Sequence, residues 1–192
     1  VQDNLARNKD FYTFEDYLSW DDGQRWELID GQPYLMAAPN EEHHDISMAL
    51  SQTLSHFLLG KPCKLFTAPF DVRLFPHKTN KREQGLVQPD LFVVCDKSKR
   101  DGQRINGAPD LVIEILSPGN ESHDRYKKLN LYIKAGVREY WIVDPKNLVI
   151  QVYIITAQGH NVFAYEINHT LSCEVLPGLE IALSDIFPTT EG

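Results

Sequence analysis

The 192-residue chain contains no run approaching the roughly 18 apolar residues that span a bilayer, so no helical membrane segment is expected. It has no excess of positive charge. With 19 Lys and Arg against 27 Asp and Glu, the formal net charge is −8, which argues against a broad phosphate-binding face. Any contact with nucleic acid must be local. Cysteine is scarce: Cys63, Cys95 and Cys173 are odd in number and far apart, and no Cys-x-x-Cys spacing suggests zinc or thiol redox chemistry. They read as small buried hydrophobes. Internal repeats, low-complexity tracts and interdomain linkers are also missing, and the polar first ten residues lack the apolar centre of a secretory signal. The expectation is a cytoplasmic protein without a membrane partner.

An apolar content of 42% with 24% charged residues suits one domain over residues 1–192 around one core, with 1–11 and 188–192 as peripheral tails. Thr13 predicts the N-cap of a short helix to Trp20, with Tyr17 and Leu18 turned inward. Asp30-Gly31 between apolar segments predicts a β-hairpin. Asn40 predicts the cap of a helix whose apolar positions Ile46, Leu50, Leu54, Phe57 and Leu58 recur at helical spacing until Gly60. His43 falls on that buried stripe and His44 does not, so the two do not form a metal clamp. Phe70, Val72 and Leu74 alternate as a half-buried strand, followed by a polar loop over 76–85. Residues 91–95 and 111–116 read as central strands joined by a surface connection over 96–107. Residues 121–135 form a helix stopped by Gly136, and 139–143 and 148–156 form a hairpin around Asp144-Pro145. A further strand follows at 163–167. Strand, helix and strand at the centre of this order make the chain α/β (α+β), a mixed β-sheet core flanked by helices.

Two Pro-Asp pairs each open an apolar run, Pro89-Asp90 and Pro109-Asp110. With a period of two, Asp110, Val112, Glu114 and Leu116 share one strand face, and Leu111, Ile113 and Ile115 line the other. Glu114 is thus mid-strand among aliphatic residues, where an unpaired carboxylate costs several kcal/mol. It needs a cation, strong hydrogen bonds or a metal. Asp90 and Glu114 on adjacent strands suit a hard divalent ion. On the following helix, Lys128 can approach the sheet if Tyr126, Leu129 and Tyr132 form the buried side; the alternative is a surface pair with Asp124. Lys127 and Lys134 read as exposed. Asp110 reads as a turn or cap, with ligation as the alternative.

Pro89-Asp90, the segment from Ala108 to Pro118, and the segment from Lys128 to Pro145 with its Tyr140-Trp141-Ile142-Val143-Asp144 run resemble the Uma-type restriction endonuclease family, within the PD-(D/E)XK nuclease superfamily. Trp26 to Gly31 and Pro39 to Ile46 are similar too, so the resemblance covers about 12–153. It implies a restriction-endonuclease-like fold and a DNA endonuclease acting as a homodimer, with Mg²⁺ (Mn²⁺ as substitute) and no organic cofactor. Asp90 and Glu114 match the two metal-binding acids, and the Ile115 main-chain carbonyl would add a third oxygen. The strand departs from Glu-x-Lys, since Leu116 stands two residues beyond Glu114. The resemblance therefore points to Lys128 on the helix as the catalytic lysine, with Lys127 as fallback and with Glu27, His43 and Asp110 as supporting residues. A protein that keeps the nuclease fold as a nucleic-acid-binding or assembly module, without turnover, is the alternative.

Overall fold

The computed structural model describes residues 9–80, 84–117 and 121–187, with the backbone alone for 121–126. The expected distal parts of both tails, and the side chains of Asp124 and Tyr126, lie outside the described residues. Thr13 caps α1 (Phe14–Leu18) through a reciprocal capping box with Asp16. Phe14 is the buried residue of this helix, whereas Leu18 is exposed, contrary to the expected inward face. A single turn buries a narrow stripe, and Phe14 and the half-buried Tyr17 occupy it, packed beside Leu28 and Leu86.

The Asp30-Gly31 turn joins β1 (Trp26–Ile29) to β2 (Gln32–Leu35), with φ of 47° and 75° at the two turn residues. Asn40 accepts the His43 N–H at the start of α2 (Glu41–Phe57), whose Ile46, Leu50 and Leu54 are fully buried. The chain continues through β3 (Lys64–Thr67), a cis Ala68-Pro69 bond, β4 (Val72–Arg73), β5 (Gly85–Val87) and β6 (Leu91–Val94). The alternating segment from Phe70 yields only the two-residue β4. It lies between β5 and the equally short β7 (Ile105–Asn106), so the expected surface connection over 96–107 contributes a strand to a sheet. Next come β8 (Leu111–Ile115), α3 (Glu121–Ala135), β9 (Glu139–Asp144), β10 (Val149–Thr156), β11 (Gly159–Glu166), β12 (Thr170–Ser172) and β13 (Glu180–Ala182).

Two mixed sheets result, a five-stranded one ordered β2-β1-β5-β4-β7 and a six-stranded one ordered β11-β10-β9-β8-β6-β3; β12 and β13 pair separately. The fold is mixed α+β. β8 and β9 are parallel, joined by α3, and the other pairs of the six-stranded sheet are antiparallel. This sheet is apolar on both faces. Leu111, Ile113 and Ile115 face α2 and the C-terminal segment, while Val112 and Leu116 face α3 and the five-stranded sheet. That division is the alternation read from the sequence.

The cysteines depart from expectation. Cys63 and Cys95 are joined in a disulfide, and Cys173 alone is a buried free thiol. Tertiary pairing of β3 with β6 brings the first two together: Lys64 lies opposite Val94, so the residues just beyond that pair become neighbours. No described helix is long and apolar enough to cross a membrane.

Candidate functional site

Leu91 pairs with Ile113 across β6 and β8, so Asp90 and Glu114 fall opposite each other at one end of the pair. A cleft of about 540 Å³ opens there, lined by both acids together with Glu27, His43, Ile115 and Lys128. Five elements contribute. β1 supplies Glu27, the first turn of α2 supplies His43, the residue entering β6 is Asp90, β8 supplies Glu114, and α3 supplies Lys128.

Lys128 is the centre of the polar cluster. Its Nζ stands 3.0 Å from Glu114 Oε1 and 2.9 Å from Glu27 Oε2, and all three residues are less than one-tenth exposed. The main-chain N–H of Gln88 donates to Glu27 Oε1 at 2.9 Å, which holds the second carboxylate in place. Tyr132, one helical turn after Lys128, donates its hydroxyl to Glu114 Oε1 at 2.6 Å. Burial pushes the Glu114 carboxyl up to about 8; Lys128 opposes the shift, Asp90 and Glu27 add to it, and the Tyr132 hydroxyl opposes it. Burial and then the charge of Glu114 likewise push the Tyr132 phenol well above its ordinary range.

Asp90 is held from two sides. The Ile115 N–H donates to its Oδ2 at 2.8 Å, and His43 Nε2 lies 3.1 Å from the same oxygen. Among the described residues both partners of each acid use one oxygen, so Asp90 Oδ1 and Glu114 Oε2 are the oxygens through which a further ligand would be held. Among the described residues no group of three or more His, Cys, Asp or Glu side chains stands in a metal-holding arrangement. Two carboxylates suffice for a magnesium-type ion, which keeps several waters and takes remaining oxygens from substrate phosphate. The donor set fits such an ion.

The structure thus brings together Asp90, Glu114, Lys128, Glu27, His43 and Ile115, and it does not bring Asp110. That residue sits at the other end of β8, accepting the Cys95 N–H at 2.8 Å with Arg138 3.5 Å away, so it ties strand ends together. Lys127 is exposed and donates to the hydroxyl of Tyr34 at 2.9 Å, outside the acidic cluster. Tyr132 and Gln88 were not singled out as partners of the acids by the sequence reading. Four-residue spacing from Lys128 was the available signal for Tyr132; none existed for Gln88, which acts through its backbone.

A family model described as "Uma2: Putative restriction endonuclease" matches residues 14–184. A protein of Synechocystis sp. (strain ATCC 27184 / PCC 6803 / Kazusa), named "Uncharacterized protein slr1290", is 29% identical over 177 residues, covering 90% of each chain. The crystal structure of "a putative nuclease belonging to DUF820" from Anabaena variabilis ATCC 29413 superposes with a TM-score of 0.73 at 21% identity, covering 91% of this chain and 97% of that one. At that identity the likeness establishes the fold. With the family model spanning nearly the whole chain, this protein belongs to the Uma2 family.

Proposed function

We propose that this chain is a divalent-metal-dependent endonuclease hydrolysing DNA phosphodiester bonds, with Asp90 and Glu114 holding Mg²⁺ or Mn²⁺ beside the Ile115 carbonyl. The observation carrying the reading is the convergence of a buried lysine and two buried or half-buried acids, from three different elements, at one cleft. When bound, the ion supplies Lewis-acid charge and a water of lowered pKa. The residues of the chain do the positioning. His43 and the Ile115 N–H hold Asp90 by Oδ2, and Lys128 and Tyr132 hold Glu114 by Oε1, so the remaining oxygens turn toward a ligand. Glu27, fixed by Gln88, keeps the Lys128 ammonium beside Glu114, where positive charge favours a phosphate as it gains negative charge. The homodimeric assembly of the superfamily is part of the same proposal.

The test incubates supercoiled plasmid and oligonucleotides with the protein in Mg²⁺, Mn²⁺ or EDTA, beside Asp90→Ala and Lys128→Ala. Metal-dependent nicking lost in both variants is the expected result; undiminished nicking in either, or nicking in EDTA, refutes the assignment. One observation favours a second reading, a nuclease-fold binding or assembly module. Lys128 bridges two carboxylates as a structural ion-pair network would. Calorimetric titration with Mn²⁺ separates the two, since a purely structural network gives no heat that depends on Asp90.

A further inference from the structure

The six-stranded sheet ends at β3 on one side and at β11 on the other, and the two edges differ in kind. β3 is four residues long, carries Lys64 and follows the disulfide-bonded Cys63. β11 is eight residues long, and every residue except Tyr165 is exposed. It pairs with β10 without a slip from Val149–Glu166 to Thr156–Gly159, so no bulge twists its edge away. Its sequence, Gly-His-Asn-Val-Phe-Ala-Tyr-Glu, contains no Lys, Arg, Asp or Pro. Charged side chains, proline and bulges are the devices by which sheet edges avoid pairing with other chains. Here Glu166 is the only acid, at the far end, and Val162 and Phe163 at the middle are 54% and 47% exposed.

The backbone of β11 is oriented for pairing. The Glu166 N–H points away from β10, toward His169 Nδ1 at 2.9 Å. With the period of two, the N–H and C=O of His160, Val162 and Ala164 share that outward direction.

We propose that β11 is an association edge for a second copy of this chain, two β11 strands pairing antiparallel about a two-fold axis at Phe163 to join both six-stranded sheets. Side chains opposite one another in an antiparallel pair stand on the same face, so a strand pairing with itself must place a residue opposite its own copy. Centring on Phe163 stacks the two phenyl rings and sets Val162 opposite Ala164 and Asn161 opposite Tyr165. It also sets the Glu166 side chain opposite His160 of the second copy at both ends, while the Glu166 N–H stays with His169, so the main-chain ladder rests on Val162 and Ala164. Centring on Val162 would instead place Glu166 opposite Gln158, beyond the strand. The contact is isologous and closed, so it stops at the dimer. It gives the homodimer of the proposed function its interface, and sedimentation of the variants tests it apart from cleavage.

Sedimentation velocity on the full chain over about 1 to 100 μM, the range in which a modest interface reveals itself, provides the test. A concentration-dependent dimer is expected. Ala164→Pro removes an outward N–H that the β10 ladder does not use, and should weaken association about tenfold or more. His160→Glu should weaken it by setting acid against acid, and adding Glu166→Lys should restore it, which keeps the test informative should the proline variant misfold. A native chain that stays monomeric throughout would overturn the proposal and leave this edge to a strand of another protein. Association unchanged in both single variants, or unrestored in the double one, would overturn it as well.

Discussion

Lys128 stands between two buried carboxylates, and its removal leaves Glu27 and Glu114 without the cation they share. Lys128→Ala should therefore destabilise the protein by about 3–5 kcal/mol in urea unfolding, the cost of stranding buried charge. Tyr132→Phe removes one donor from Glu114 Oε1 and should cost about 1.5–3 kcal/mol by the same measurement. The pH dependence follows from Glu114, whose folded value of about 8 exceeds its ordinary 4.5. A carboxyl raised in the folded state favours folding fully below its unfolded value, and that contribution is lost as pH rises through the folded value. Metal-free protein should thus lose stability between pH 4.5 and about 8 from this group, and Glu114→Gln should flatten that slope in a pH series of urea midpoints. At this scale the need of Glu114 for a cation was legible from its place in an aliphatic strand. That Glu27 shares the cation was not, because β1 meets the site only through folding.

Helix α2 ties the cleft to the rest of the fold, since its first turn carries His43 while its buried stripe packs on the six-stranded sheet. Asn40→Ala should lower stability by about 1 kcal/mol through loss of the cap, read as a drop in the thermal midpoint. The long elements α2, α3, β9 and β10 lay where periodicity and breakers predicted them, because each buries several residues at regular spacing. Of the shorter strands, β4 formed inside the segment read from Phe70 but only two residues long, and β3, β5 and β7 went unread, since two to four residues carry little pattern for a period and owe their form to neighbours in the sheet. The exposed β11 follows the same logic. A two-residue connection and the register of β10 extend it to eight residues, where the sequence suggested a strand only from Phe163.

Over the whole molecule, the Cys63–Cys95 bond closes 32 residues and staples β3 to the end of β6 beside the main core. In the chain-entropy picture a loop of that length contributes about 3–4 kcal/mol, so reduction or Cys63→Ser should lower the urea midpoint accordingly. The sequence by itself determined the alternating faces of β8, the buried stripe of α2, the stop at Gly136 and the acid-bearing ends of β6 and β8, because these follow from local periodicity and turn chemistry. Tertiary structure alone decided the division into two sheets, the pairing of distant cysteines, the export of Asp110 from the cleft and the meeting of Glu27, Glu114 and Lys128. Each of those depends on contacts between segments far apart in the chain, which local pattern does not encode and which the packing of the sheets and α3 imposes.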